Sequence, residues 1–292
     1  MRFWSVIVLI AALSVAGRCT AQDALLSSST AAPALEASLP LTAPGMSLYA
    51  PVNKTSPDRP VSWRRLVPNM VQDQKQIWLF PVSVAHGHHL APTLAVAGIT
   101  AGLVALDERN MNYIRRTQSF STFNKAFSSS NTSLGMEAFP AAFYIIGLVR
   151  KDSYAQHTVL LAGEAVLDSE ILTSVMKDID RRFRPASIPP NGELSQSWFK
   201  ETHGSYLGGV GSFPSGHTIA AFSIATVFAR RYPNPRWHVW LAYGLASLVG
   251  FSRVSLQSHF PSDVFAGAAL GYAIANYVVL RPRSTLVIQD VP

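Results

Sequence analysis

Apolar residues of this chain fall into six long stretches, separated by polar or Pro- and Gly-rich segments. Stretches of this length, without the alternation of a half-buried strand, predict α-helices. We therefore expect an all-α fold, a helical bundle of about six core helices. The first and last stretches reach about 17 residues, near the lower limit for a bilayer crossing, so membrane embedding stays open. The stretches are 90–106, 138–149, 159–176, 218–229, 237–251 and 264–280.

The N-terminal part of the chain has a different composition and predicts a targeting segment followed by a linker. Met1 and Arg2 precede a short apolar run, and small residues follow up to Ala21, which is the order of a cleaved signal peptide. An uncleaved membrane anchor is the alternative. The segment after Gln22 is rich in Ala, Ser, Pro and Thr, which predicts a linker. The expected organisation is a signal peptide at 1–21, a low-complexity linker at 22–60, a strap or interfacial segment at 61–89 and the main helical domain at 90–285.

Composition narrows the class of protein. Charged residues make up 14% and hydrophobic residues 48% of the chain, against roughly 25% charged in ordinary soluble domains. The net charge of +7 suits an anionic substrate or a lipid surface, but no basic run with interleaved aromatic residues suggests nucleic acid. The single cysteine, Cys19, lies in the expected signal peptide. A mature chain without it would have no disulfide and no cysteine nucleophile. In the last apolar stretch, Gly267 and Gly271 predict close approach of a neighbouring helix.

A first polar block contains Lys177 and Arg184-Pro185. If residues 159–183 are helical, Lys177, Arg181 and Arg184 follow one another at helical spacing and share a face. An arginine presents a planar fork to phosphate oxygens and a lysine presents a point charge, so the two can neutralise a dianion. The alternative is a solvated basic face.

A second block, Pro214-Ser215-Gly216-His217, leads from a loop into an apolar helix. The backbone N–H groups of Ser215, Gly216 and His217 would then form an anion cradle at the positive end of a helix dipole. His217 could pass a proton to a departing oxygen. The alternative is a helix cap followed by a surface histidine.

A third block contains Arg253, His259 and Asp263. Pro261 is tolerated in a first helical turn, which would place His259 at a helix entrance and Asp263 one turn inside. The carboxylate could then accept from the imidazole Nδ1–H and leave Nε2 free as a nucleophile, while Arg253 reaches the same anion. The alternative is a structural hydrogen bond at a helix start.

In these three blocks, from Lys177 to Asp263, the chain resembles the phosphatidic acid phosphatase type 2 superfamily, which includes lipid phosphatases, bacterial acid phosphatases and vanadium-dependent haloperoxidases. The resemblance implies a helical bundle and a phosphohistidine mechanism without metal or cofactor. It implies that His259 attacks phosphorus, that Asp263 orients it and that His217 protonates the leaving oxygen. The phosphate ligands implied in the same way are Lys177, Arg184, Ser215, Gly216 and Arg253.

We therefore expect a phosphatase that hydrolyses phosphomonoesters or diphosphates, and the low charge content and apolar helices favour a lipid-linked substrate. We expect it to be exported and membrane-associated. A soluble, broad-range exported acid phosphatase is the first alternative, and a vanadium-dependent haloperoxidase is the second. Detergent requirement on extraction separates the first two, and halide oxidation after vanadate loading identifies the third. The oligomeric state is not encoded in any pattern that we recognise.

Overall fold

The computed structural model describes residues 59–117, 119–200 and 211–281. Within these ranges every regular element is helical, which confirms the all-α prediction. A π-helical turn, Ile274–Val279, continues the last helix, and two 3₁₀ turns, Pro185–Ser187 and Leu194–Gln196, follow the fifth. The helices are α1 (Leu66–Ala85), α2 (Leu90–Arg116), α3 (Ser121–Ala126), α4 (Ser129–Val149), α5 (Ser153–Asp180), α6 (Gly216–Arg231), α7 (Trp237–Ser255) and α8 (Pro261–Ala273).

Each of the six apolar stretches lies in one of these helices, with α8 and its π-helical turn covering the last one except for Leu280. Two helices lie outside the six. Helix α1 occupies the segment predicted as a strap or interfacial piece, and the short α3 is too polar to stand out. The predicted signal peptide and nearly all of the predicted linker lie outside the described residues. The linker's last residues, Arg59 and Pro60, are described, and Arg59 is buried.

The ends of α5 are set by local chemistry. Asp152 caps its first turn by accepting from the backbone N–H groups of Tyr154 and Ala155. The helix ends at Asp180, and Arg181 adopts a left-handed backbone with φ of 41°. The expected helix over 159–183 is therefore three residues too long, and Arg184 does not share a helical face with Lys177.

Helix α6 lies at the centre of the bundle and packs against α5, α7 and α8. Glycines on α8 allow the closest of these contacts, as predicted. A Cβ at Gly267 would lie 2.8 Å from the carbonyl oxygen of Ser215, and one at Gly271 would collide with the carbonyl oxygen of Ile219. The close contact brings the start of α6 beside the start of α8, where the second and third polar blocks lie.

The outer helices carry an apolar surface. Helices α2 and α4 are 27 and 21 residues long, and both are long and apolar enough to cross a bilayer. Only 6% and 11% of their apolar windows are buried within the protein. Large side chains such as Leu94, Ile99 and Ile145 are exposed on them. An extended apolar exterior of this kind supports association with a membrane.

Candidate active site

A cleft of about 680 Å³ runs between α4, α5 and α6. Its two ends differ in chemistry. One end is polar and receives side chains from all three sequence blocks, although the blocks lie far apart along the chain. The residues that line this polar end are Lys177, Arg184, Gly216, His217, Arg253, Ser258 and His259. Of the eight predicted site residues, six line the cleft, and Ser215 and Asp263 lie behind it.

His259 lies between α7 and α8 and is only 3% exposed. Its Nδ1 lies 2.7 Å from the carbonyl oxygen of Ser212. Because a carbonyl oxygen can only accept, Nδ1 carries the proton and donates it, which leaves the lone pair on Nε2. Burial lowers the pKa of His259, so the ring is neutral at pH 7. The ring therefore has the tautomer and the charge state of a nitrogen nucleophile.

Asp263 acts on this ring through Ser212 and not by a direct hydrogen bond. Its Oδ2 lies 3.7 Å from His259 Nδ1, beyond hydrogen-bond distance, which differs from the expected contact. Instead, the Ser212 hydroxyl donates to Oδ2 at 2.6 Å and the backbone N–H of Phe260 donates to it at 2.8 Å. Burial alone would raise the pKa of Asp263, but the adjacent His259 and Arg182 outweigh it and hold the pKa below its ordinary value.

His217 is the second residue of α6 and lines the same polar end. Its Nε2 lies 3.1 Å from the hydroxyl oxygen of Ser133 on α4. Burial, followed by the charges of Arg253 and His259, lowers the pKa of His217 to about 4. The two imidazoles thus open onto one cleft.

Lys177 and Arg184 reach the cleft from different backbone positions. Lys177 lies on the last turn of α5, whereas Arg184 lies beyond the helix in extended backbone before Pro185. Burial lowers the pKa of Lys177, and the nearby charge of Arg184 is the second cause. Two cations that destabilise each other in this way are relieved when an anion binds between them. The pair is suited to a phosphoryl group.

Arg253 is 1% exposed and joins the end of α7 to the start of α4. Its Nη1 donates to the Ser129 hydroxyl at 2.9 Å, and its Nη2 donates to the Phe127 carbonyl at 2.7 Å and to Thr132 Oγ1 at 3.0 Å. Burial lowers the pKa of Arg253 to about 10, which still leaves it charged at neutral pH. It therefore fixes a third positive charge at the polar end.

The predicted anion cradle differs from the structure at one position. The backbone N–H of Ser215 donates to the carbonyl oxygen of Asp263 at 3.1 Å, and the Ser215 hydroxyl accepts from Thr218 at 2.9 Å. Ser215 is completely buried and does not line the cleft. Gly216 and His217 do line it, and they are the first two residues of α6, where backbone N–H groups have no partner within the helix. The cradle thus consists of Gly216 and His217, with Ser215 as its support.

The other end of the cleft is an apolar arm. Along α5 the cleft extends from Lys177 to Val159, about 27 Å at 1.5 Å per residue. Glu137 and Glu170 mark the junction between the polar end and the arm. At the far end Trp63 donates from Nε1 to the Tyr144 hydroxyl at 2.9 Å. The apolar lining comprises Trp63, Leu66, Met136, Pro140, Val159, Leu160, Ala162, Gly163, Val166, Leu167, Ala220 and Ile224.

Three residues behind the site were missed by sequence reasoning. Ser212 accepts from His259 and donates to Asp263, and Arg182 donates from Nη1 to Asp263 Oδ1 at 2.5 Å. Asp107, on α2, accepts from Arg182 Nη2 at 2.6 Å. Arg182 lies inside the first block, between Lys177 and Arg184, and Ser212 lies two residues before the second. Asp107 offered only a weak signal, because it is one of two adjacent carboxylates, Asp107 and Glu108, that follow an apolar stretch.

Known proteins resemble this chain over the part that contains this site. The sequence profile of the PAP2 superfamily matches residues 158–284, which include all three blocks. Lipid A 4'-phosphatase of Porphyromonas gingivalis is 30% identical over 109 residues, covering 37% of this chain and 44% of that protein. Lipid A 1-phosphatase of Rhizobium etli is 33% identical over 107 residues, covering 36% of this chain and 42% of that protein.

Among solved structures, the chain matches a transmembrane PAP2-type phosphatidylglycerolphosphate phosphatase from Bacillus subtilis with a TM-score of 0.42 and 24% identity. This match covers 62% of this chain and 91% of that structure. The chain spans less than half the length of each of the two lipid A phosphatases that it matches. The matched segment nevertheless carries Lys177, Arg184, His217, Arg253, His259 and Asp263 without exception. Residues 158–284 of this chain, which contain the whole polar end of the cleft, match the PAP2 superfamily.

Proposed function

We propose that the protein is a phosphatase that hydrolyses the phosphomonoester or diphosphate of a lipid through a phosphohistidine intermediate. One observation carries the proposal. The cleft that holds His217, His259 and three cations at one end continues without interruption into an apolar arm at the other. A ligand that fills this cleft has a phosphoryl group joined to an apolar chain.

In the first step His259 Nε2 attacks phosphorus while Lys177, Arg184 and Arg253 neutralise the phosphoryl oxygens. The P–N bond forms as the bond from phosphorus to the leaving oxygen breaks. His217, protonated in the complex, gives its proton to that oxygen, and the alcohol or phosphate departs. Positioning and charge neutralisation supply most of the acceleration in such a transfer.

In the second step the now neutral His217 takes a proton from water, which attacks the phosphohistidine. The P–N bond breaks, phosphate is released and His259 returns to its neutral form. The Ser212 carbonyl supports this role, because it accepts from Nδ1–H at 2.7 Å and stabilises positive charge on the ring in both steps. The same cleft therefore serves both halves of the reaction.

The dimensions of the apolar arm support a lipid as substrate. From Glu170 to Val159 the wall of α5 measures about 16 Å, which is about half of the ~30 Å hydrocarbon core of a bilayer. One acyl or isoprenoid chain of a single leaflet matches that length. The exposed apolar surfaces of α2 and α4 support a position within the membrane, where such a chain is available.

We also propose that the protein is exported, with residues 1–21 as its signal peptide and the polar end of the cleft on the exported side. The mature chain would begin at Gln22. Mass spectrometry of the purified protein tests this, and an intact chain that begins at Met1 would overturn cleavage.

Replacing the nucleophile tests the proposed reaction. His259→Ala is expected to reduce phosphate release by at least about 10⁴-fold while inhibitor binding is largely kept. Brief reaction of the wild-type enzyme with a ³²P-labelled substrate should leave an acid-labile label on the protein, and the variant should carry none. The exposed His157 on α5 lies outside the cleft, so His157→Ala is the matched control and should keep full activity. Substantial hydrolysis of a good leaving group by His259→Ala would refute the assignment.

A further inference from the structure

Helix α2 buries a carboxylate that the reaction described above does not use. Only Asp107 and Met111 of its 27 residues are buried, and Asp107 is 2% exposed. Its Oδ1 accepts the backbone N–H of Ser262 at 3.1 Å, and its Oδ2 accepts from the Ser262 hydroxyl and from Arg182. A buried carboxylate on a lipid-facing helix is costly unless its contacts offset the loss of hydration.

Arg182 is the partner that connects this carboxylate to the site. Its guanidinium donates to Asp107 Oδ2 at 2.6 Å from Nη2 and to Asp263 Oδ1 at 2.5 Å from Nη1. The group is held between two rings, with its central carbon 4.2 Å from the Trp198 centroid and 3.9 Å from the Phe260 centroid. Arg182 is 2% exposed and does not line the cleft, so its contacts act on other protein groups and not on substrate.

From Asp263 the contacts continue to the nucleophile. Oδ1 of Asp263 is occupied by Arg182, which leaves Oδ2 to accept from the Ser212 hydroxyl at 2.6 Å. Ser212 in turn holds His259 Nδ1 at 2.7 Å with its carbonyl oxygen. The direction of the Asp263 carboxylate thus depends on where Arg182 stands, and Asp107 is the second carboxylate that fixes Arg182.

We propose that Asp107 and Arg182 are positioning residues of the phosphatase reaction, which set the orientation of His259 through Asp263 and Ser212. The inference rests on the proposed function of the same site. Helix α2 is then part of the catalytic apparatus, although none of its residues lines the cleft.

Asp107→Asn is the decisive variant, because it keeps the shape of the side chain and removes its charge. We expect kcat for an aryl phosphate to fall by about 10- to 100-fold, the usual effect of removing a supporting contact. The inhibition constant of inorganic phosphate, a ground-state ligand, should stay within about twofold, because Lys177, Arg184 and Arg253 are not disturbed. Parallel losses of kcat and of phosphate affinity would overturn the proposal, and so would an unchanged kcat.

The chain supplies a matched control. Arg59 is also buried and donates to Asp73 at 2.7 Å, with Glu164 as its second carboxylate, but neither Arg59 nor Asp73 lines the cleft. Asp73→Asn should lower thermal stability as Asp107→Asn does and leave kcat of the folded protein within about twofold. Equal losses of kcat in both variants would assign Asp107 a purely structural role.

A double-mutant cycle tests the route of the effect. If Asp107 acts through Asp263, adding Asp107→Asn to Asp263→Asn should change kcat by no more than about twofold. Additive losses would overturn the route.

A measurement that does not depend on turnover separates this inference from the proposed function. ¹⁵N NMR of the His259 ring should show loss of the hydrogen-bonded Nδ1–H in Asp107→Asn. An unchanged Nδ1–H signal refutes the positioning role whether or not the protein hydrolyses phosphate esters, whereas an inactive wild-type enzyme refutes the proposed function alone.

Discussion

The two ends of the cleft differ in the kind of contact that their side chains make. At the polar end three side chains have fixed hydrogen-bond partners: Arg253 has Ser129, His217 has Ser133, and His259 has the Ser212 carbonyl. In the apolar arm the walls are aliphatic, and Gly163 leaves open space where a Cβ would stand. Hydrogen bonds specify direction, while apolar contacts specify mainly volume. The polar end should therefore govern the rate of the chemical step, and the arm should govern which chain lengths bind.

The difference also assigns distinct kinetic signatures to the two ends. Interactions made only in the transition state change kcat, whereas interactions made equally in the ground state change KM. Substitutions at the polar end should lower kcat for every substrate. Substitutions in the arm should leave a substrate without an apolar chain unaffected. Substitutions at each end of the cleft test this division.

Removing the general acid should produce the largest loss among these tests. His217→Ala is expected to lower kcat for an alkyl phosphate by about 10²- to 10⁴-fold, because an alkoxide leaves poorly without a proton. The loss should be much smaller for p-nitrophenyl phosphate, whose leaving group needs no proton. Steady-state rates on the two substrates measure the contrast. Equal losses on both would mean that His217 serves to bind phosphate and not to donate the proton.

His217 should also make kcat/KM depend on pH, with a fall of about tenfold per pH unit above the pKa of its ring. Burial lowers the pKa of His217 to about 4, so in the free enzyme the ring holds its proton only below that pH. As pH rises through this region, kcat/KM should fall, at a lower pH than an ordinary imidazole near 6.5 would give. A bound phosphoryl dianion raises the pKa of His217, so the corresponding fall in kcat should lie at higher pH.

Titration of the substrate itself also contributes to such a profile. His217→Ala removes the contribution of the enzyme and keeps that of the substrate, so the difference between the two profiles isolates the histidine. If kcat and kcat/KM fell at the same pH, or if His217→Ala kept the same profile, the general-acid role would be wrong.

Which residues line the polar end could be predicted from sequence for a physical reason. Lys177 and His217 directly flank long apolar stretches and His259 lies shortly before one, so their polar side chains differ from those of their neighbours. Their contacts were less predictable. His259 donates to a backbone carbonyl oxygen, and no residue type in the sequence indicates such a bond. The left-handed backbone at Arg181 ends the helix, so Arg184 does not lie on the helix face that was expected.

The apolar arm could not be predicted, because Val166 in a cleft and Leu161 in the core look alike in sequence. Both belong to α5, whose apolar stretch was correctly assigned as helical. Which of its faces is buried depends on the angle at which α4 and α6 pack against it, and that angle is a tertiary property. Asp107 was missed for the same reason, since its partner Arg182 is distant in sequence.

Filling the arm should produce the smallest and most selective effect. Nothing lies within 4 Å of a Cβ at Gly163, so Gly163→Leu can place its side chain in the arm without displacing protein atoms. With monomeric alkyl phosphates in water, wild-type kcat/KM should rise about fourfold per methylene, at about 0.8 kcal/mol each, until the arm is full. A leucine that excludes three methylenes should lower kcat/KM for the longest of these substrates by about 50-fold, mainly through KM. The rate on p-nitrophenyl phosphate should not change.

Gly244 on α7 also has open space around its Cβ position but lies outside the cleft, so Gly244→Leu should keep the wild-type dependence on chain length. Because both variants add the same side chain to a helical glycine, a difference between them can come only from the arm, and the same chain-length dependence in both would show that the lipid chain lies elsewhere.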